Sequence, residues 1–289
     1  MISPKIVIDL LLFSALVVAD LLINYLSTPF ERGFYCDDDS IRYPYRTSTV
    51  DPVLNYFVGT AIALIVVCAI EAHRIFVSEN RNKESSFRRW LFKVYKHFGY
   101  FLFGAAVTML FSYLSKFLVG RLRPHFLAVC QPKKDLLRCE KDPLEYIFPV
   151  TCEGNYSDKI MRDSRMSFLS GHTSFAFYCA IYSILYLQSR NSWNPKYGRL
   201  VVPMLQTLIF LLASYVGMSR ISDFKHHWSD VLAGFLLGLI VAVLVAHFVA
   251  RIRLSSSRWH SKTLPVLERN AISEATGVQT IAVDRGEAH

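Results

Sequence analysis

Val231–Ala250 reads VLAGFLLGLIVAVLVAHFVA, and this stretch decides the fold. It passes without a single Asp, Glu, Lys or Arg and without the polar stripe that a buried helix of a soluble domain keeps along one face. A run of this length spans the hydrocarbon core of a bilayer. Similar runs recur upstream, including LIFLLASYVG, and the expected spans lie at about 6–28, 54–76, 98–119, 168–188, 200–219 and 229–250. Composition agrees, with 52% of 289 residues hydrophobic and only 19% charged. The expected fold is all-α, a polytopic membrane protein with six transmembrane helices. A membrane domain covers 1–250, and 251–289 reads as a polar, flexible cytosolic tail without a lipidation motif. The apolar run from Ile6 is too long for a cleavable signal and lacks a small-residue cleavage site, so it is expected to stay as the first span.

Six spans put both termini on one side. The segment 77–96 carries six Lys or Arg, against Arg32, Arg42 and Arg46 in 29–52, so the positive-inside rule places 77–96 and both termini in the cytosol. The 120–167 segment is basic too and weakens that contrast. Two independent features favour the same orientation. Cys36, Cys130, Cys139 and Cys152 all fall in the segments placed outside, an even number able to form two disulfides in any of three pairings. Asn155 opens the sequon NYS, which requires a luminal face to be glycosylated. Cys68 and Cys179 lie within spans and read as apolar packing residues. The net charge of +9 is divided between the two sides of the membrane, which points to anionic headgroups and not to nucleic acid.

Polar residues at the ends of spans carry the chemistry, because an unpaired charge at the bilayer centre costs roughly 3 kcal/mol on insertion scales. Three clusters stand out: KFLVGRLRPHF with Lys116, Arg121, Arg123 and His125; SFLSGHTSF with Ser170, Gly171 and His172; and SRISDFKHHWSD with Arg220, His226, His227 and Asp230. All three fall at the outer edge. Lys116, Arg123 and Arg220 isolated in hydrocarbon would cost on the order of 10 kcal/mol, so they are expected to gather around an anion. A phosphate suits them, since arginine forks match its oxygens and lysine adds a compact charge. Ser170-Gly171 at a helix start exposes backbone N–H groups at the positive end of the dipole, with His172 in the first turn. Alternatively, Ser170 is only a helix cap. His226 and Asp230 are spaced i, i+4, but His227–Asp230 (i, i+3) and Asp223–His227 (i, i+4) are also within reach, so spacing alone does not choose the histidine. Cations nearby lower the pKa of His226 and Asp230 raises it, with the balance open. Asp20, Asn24, Glu71 and His73 lie within spans and read as interhelical packing or headgroup contacts in preference to substrate guidance.

Lys116-x6-Arg123-Pro124, Ser170-Gly171-His172 and Ser219-Arg220-x5-His226-x3-Asp230 resemble, in order and spacing, the three signatures of the type 2 phosphatidic acid phosphatase superfamily. FERGFYCDDDSIRYPYR, FLFGAA, GRLRPHFLAVC and SDFKHHWSDVLAG are similar to its lipid phosphate phosphatase (phospholipid phosphatase) subgroup, and the resemblance covers roughly 28–250. Leu169 departs from the proline that much of the superfamily carries before Ser-Gly-His. The resemblance implies hydrolysis of lipid phosphate monoesters at the extracellular or luminal face, without a metal or other cofactor. It further implies that His226 is the nucleophile, Asp230 its orienting partner and His172 the general acid, with Lys116, Arg123, Ser170, Gly171 and Arg220 holding the phosphate. The expected substrates are phosphatidate, lysophosphatidate, sphingosine 1-phosphate or ceramide 1-phosphate. The plasma membrane is the expected location, ahead of the endoplasmic reticulum or Golgi.

Three alternatives are weaker. A transporter lacks support from any internal repeat or paired helix break. A silent lipid-phosphate-binding scaffold would lack one of the histidines or cations, all of which are present. A phosphotransferase would use the same residues and pass the phosphate to another lipid. Oligomeric state is left open, a homo-oligomer included.

Overall fold

A computed structural model of the chain describes residues 4–77, 83–189 and 200–252. In chain order its helices are α1 Pro4–Leu26, α2 Pro52–Ala72 with a π-type turn His73–Val77, α3 Lys83–Val119, the short α4 Phe126–Cys130, α5 Lys133–Cys139 and α6 Asp158–Asp163. Then come α7 Gly171–Ser189, α8 Val201–Ser222, and α9 Trp228–Leu244 with a π-type turn Val245–Val249. The tail expected over 251–289 lies, beyond Ile252, outside the described residues.

Among the described residues five helices, α1, α2, α3, α8 and α9, are long and apolar enough to cross a membrane. They coincide with five of the six expected spans. The remaining one, expected at 168–188, is α7, and its character differs from the expectation. It is buried along nearly its whole length, against α2, α3, α8 and α9. Surrounded by protein in place of lipid, it can carry Ser, Thr and Tyr, provided that each finds a partner. The hydroxyls of Tyr178 and Tyr182 donate to the carbonyls of Phe101 (2.7 Å) and His97 (2.9 Å), and that of Tyr186 to the Glu71 carboxylate (2.6 Å). Glu71 is therefore an interhelical acceptor, as the packing reading of that residue expected.

α9 lies close on α7 because Gly238 has no side chain. A Cβ there would stand 2.5 Å from the Ser174 carbonyl oxygen. The third span also differs from expectation. The helix begins at Lys83, not near residue 98, so Arg88, Arg89, Lys93 and Lys96 ride on its first turns. No Gly or Pro interrupts 83–98, and helix-favouring Lys, Arg, Leu and Glu continue the helix into the apolar run. Its other end is sharp: Gly120, at φ +56°, takes the left-handed turn that ends a helix and leaves Lys116 in the last turn.

The termini of the spanning helices meet at one end. Asp51 caps α2 by accepting from the backbone N–H groups of Val53 and Leu54, with Pro52 as the first helical residue. Above that end, 27–51 and 120–170 fold together around Phe34, Ile41, Leu122, Phe126 and Ile147. The two-stranded antiparallel pair β1 (Phe34–Tyr35) and β2 (Tyr146–Ile147) and the disulfides Cys36–Cys139 and Cys130–Cys152 fasten this cap. These disulfides are one of the three pairings that the sequence left open. Backbone bonds from Tyr43 to Pro124 and from Arg123 to Ser164 join the cap to the loops that carry the charged clusters. Asn155 is exposed in the loop before α6.

Candidate active site

The third cluster is shaped by a tight turn after α8. Phe224 adopts φ +55°, and the N–H groups of Lys225 and His226 both bond back to the Arg220 carbonyl. The Phe224 ring stacks on Tyr43 at 4.6 Å, with the Arg46 guanidinium 4.9 Å from the same ring. His125 Nδ1 donates to the Phe224 carbonyl at 2.7 Å, so the first cluster holds the third. Lys225 Nζ lies 3.9 Å from the centroid of Tyr45, whose ring also meets His125 edge-on.

This turn buries His226 and points its Nδ1 at the Ser167 carbonyl, 2.7 Å away. A carbonyl oxygen only accepts, so Nδ1 carries the proton and Nε2 keeps its lone pair. Asp230, the orienting partner expected from the i, i+4 spacing, stands 3.9 Å from that nitrogen, within electrostatic range but beyond a hydrogen bond. Its carboxylate instead accepts from Ser167 Oγ (2.6 Å), His227 N (3.0 Å), His227 Nδ1 (3.1 Å) and Arg121 Nη1 (2.6 Å). The reason is local: α9 begins at Trp228, so His226 precedes the helix and leaves the i, i+4 face, while His227 takes the cap position. Burial, then the Arg123 guanidinium, push His226 down to about 3 against the upward pull of Asp230, with Lys116 adding to the lowering. The balance left open by the sequence falls on the side of a neutral imidazole at neutral pH.

The charges of Arg123 and Lys116 bear on His226, and those of all three cations bear on His172. Arg123 donates to Asp163 at 2.7 Å through Nη2, while its Nε is buried without a hydrogen-bond partner. Arg220 is 1% exposed and donates to Asp223 at 2.8 Å. Asp223 is itself held by Thr49, which donates through N at 2.8 Å and Oγ1 at 2.7 Å. Lys116 Nζ is the atom nearest to a Cβ built on Gly171, at 3.5 Å, so the bare backbone at the start of α7 faces the ammonium. Ser170 caps α7: its Oγ bonds Thr173 Oγ1 at 2.9 Å and accepts from Thr173 N at 3.4 Å, and its own N–H donates to the Asp230 carbonyl. Ser170 thus makes the bonds of a helix cap, and Gly171 lies beside the Lys116 ammonium. His172 Nε2 is buried without a hydrogen-bond partner, and the charges bearing on it are those of Arg220, Lys116, His226 and Arg123. Asn55 of α2 fixes the His172 backbone by donating to its carbonyl at 3.3 Å.

The sequence-chosen residues therefore converge, although they come from three separate segments. Sequence reasoning missed Ser167, Asp163, Thr49 and Asn55, and gave Arg121 no role. Arg123 and Asp163 are 40 residues apart and His226 and Ser167 are 59 apart, so no local spacing could mark them. Only Asp223 left a trace, three residues after Arg220.

The PAP2 superfamily matches residues 98–254, which include all three clusters. Phospholipid phosphatase 2 of Homo sapiens is 42% identical over 239 residues, covering 81% of this chain and 80% of that protein. Phospholipid phosphatase 1 of Rattus norvegicus is 39% identical over 248 residues, covering 85% of each. A putative phosphatidate phosphatase of Drosophila melanogaster is 40% identical over 248 residues, covering 80% of this chain and 64% of that protein. No solved structure matches the chain. Relatives of that identity over most of their length, together with the matched clusters, establish that this chain belongs to the PAP2 superfamily, in its lipid phosphate phosphatase subgroup, and is a phosphatase of the membrane.

Proposed function

We propose that the chain hydrolyses the phosphate monoester of phosphatidate, lysophosphatidate, sphingosine 1-phosphate or ceramide 1-phosphate through a phosphohistidine on His226. The observation that carries this reading is the bond from His226 Nδ1 to the Ser167 carbonyl, which leaves Nε2 as a fixed, unprotonated nucleophile beside Arg123 and Lys116. Nε2 attacks phosphorus, the bond from phosphorus to the lipid oxygen breaks, and His172, protonated once the bound phosphate dianion offsets the surrounding cations, gives its proton to the departing alkoxide. His172 then takes a proton from water, which attacks the phosphohistidine. The nitrogen–phosphorus bond breaks and inorganic phosphate leaves. Lys116, Arg123 and Arg220 stabilise the charge on the phosphoryl oxygens, assisted by the first-turn backbone of α7 at Gly171. These fixed cations take the part that a metal plays elsewhere, so no metal is needed. Asp230 holds the 226–230 turn through Ser167, His227 and Arg121, and its negative charge favours the imidazolium-like nitrogen of the intermediate.

In this reading α7 is the fourth of six spans, both termini are cytosolic, and the capped end with its disulfides and Asn155 is extracellular or luminal, in the plasma membrane or the secretory pathway. A lipid reaches a site at that edge by lateral diffusion. Purified protein in mixed micelles with lysophosphatidate and excess EDTA is expected to release inorganic phosphate at the rate seen without chelator. Activity restored only by added metal would overturn the reading.

A further inference from the structure

Between α1, α2 and α3 lies a cavity of about 230 Å³ lined by Asp20, Leu21, Asn24, Tyr56, Met109 and Tyr113. By sequence alone Asp20 and Asn24 read as interhelical packing or headgroup contacts in preference to substrate guidance. In the structure Asp20 is part of the cavity's lining, and its Oδ1 is buried without a hydrogen-bond partner. A packing carboxylate inside a membrane protein finds a donor, as Glu71 does in Tyr186. Asp20 instead lines a cavity, with its Oδ1 unpartnered.

Two walls of the cavity continue into the phosphate site. Tyr113 lies one turn before Lys116 on α3, and Lys116 Nζ sits 5.6 Å from the centroid of the Tyr113 ring. Tyr56 of α2 meets Phe175 edge-on at 4.9 Å, one turn after His172, and its neighbour Asn55 holds the His172 carbonyl. Tyr113 precedes Lys116 by one turn and Met109 by two, so the cavity begins about one helical turn, roughly 5 Å, deeper along the bundle than Lys116 and continues for another. That offset is comparable to the reach from a phosphate monoester to a polar group on the next carbon of the lipid. Leu21, at the rim, is exposed on the bilayer side of α1, so an acyl chain can leave the cavity into lipid.

A carboxylate accepts hydrogen bonds, and the amide of Asn24 can both accept and donate. The other polar groups in the lining, Asn24, Tyr56 and Tyr113, are neutral, so the Asp20 carboxylate is the strongest acceptor there. We propose that this cavity is a specificity subsite for lipid phosphates bearing a hydrogen-bond donor, a hydroxyl or an ammonium, on the carbon next to the phosphate-bearing one, with Asp20 as its acceptor. Lysophosphatidate carries such a hydroxyl and sphingosine 1-phosphate such an ammonium, whereas in phosphatidate that oxygen is esterified. The subsite rests on the phosphatase reading above and deepens it by ordering its substrates.

The test compares kcat/KM for lysophosphatidate, sphingosine 1-phosphate and phosphatidate in mixed micelles for the parent, Asp20→Asn and Asp20→Leu. Loss of a charge-assisted bond predicts that Asp20→Leu lowers the preference for each donor-bearing lipid over phosphatidate by about tenfold. Asp20→Asn keeps a neutral acceptor, so it should cost the ammonium lipid more than the hydroxyl lipid. A preference within about twofold of the parent's in both variants overturns the subsite and leaves the phosphatase reading standing, with Asp20 a packing residue. A parent that hydrolyses none of the three overturns the phosphatase reading itself, and the subsite with it.

Discussion

His226→Ala is expected to lower kcat by on the order of 10⁴-fold or more, while His227→Ala costs about tenfold at most. The two residues are adjacent, and each donates Nδ1–H to an acceptor, His226 to the Ser167 carbonyl and His227 to Asp230. Their surroundings separate them. The charges of Arg123 and Lys116 bear on His226, and His226 is among the charges that bear on His172. His227 caps α9, and its backbone N–H to Asp230, which survives truncation of the side chain, supplies much of that cap. Alanine at 226 therefore removes the attacking atom, and alanine at 227 removes one of several bonds to Asp230. Single-turnover kinetics with lysophosphatidate distinguish these outcomes. Comparable losses at both positions would mean that the turn acts as a structural unit and that the nucleophile is not assigned by its tautomer.

Arg220 is expected to show two separable effects. With its side chain buried and paired to Asp223, Arg220→Met strands a carboxylate whose other described donors are the N–H and hydroxyl of Thr49. Breaking one side of a buried pair costs about 3–5 kcal/mol, which a thermal melt in detergent should register as a clear fall in Tm. The double variant Arg220→Met/Asp223→Asn removes the stranded charge and should recover much of that Tm. It should not recover activity: one missing donor to the transferring phosphoryl group lowers kcat/KM by about 10²–10³-fold. Arg220→Lys keeps a charge but loses the planar fork, so it too should fall well short of the parent. If the double variant regained both stability and turnover, Arg220 would be a structural partner of Asp223 and no part of the phosphate cradle.

Much of this architecture is legible in the sequence because the bilayer reads length and polarity directly. The run Val231–Ala250 could only be a span, and five of the six expected helices meet that criterion in the structure. α7, expected as the fourth span at 168–188, is the one that does not. A helix ringed by protein is free to hold the polar residues that its neighbours satisfy, so the hydropathy of GHTSFAFYCAIYSILYLQS understates how deeply it is buried. The three charged clusters were readable because each is local: Lys116 to Arg123, Ser170 to His172, and Arg220 to Asp230. The contacts that make them one site are not local. Ser167 reaches His226 and Asp230, Asp163 reaches Arg123, and Thr49 reaches Asp223 through loops whose fold depends on the disulfides Cys36–Cys139 and Cys130–Cys152. The i, i+4 pairing of His226 with Asp230 presupposed a helix through both residues, and the chain becomes helical only at Trp228.

The central claim is a covalent phosphate on the nitrogen left free by the Ser167 bond, and trapping it is the most direct measurement. Purified protein turning over lysophosphatidate with a radiolabelled phosphate is quenched in alkali, and the protein is digested and the labelled peptide sequenced. The label is expected to survive base, to be lost in acid, to map to His226 and to be absent from His226→Ala. An active parent that carries no such label, or carries it on another residue, would contradict the account.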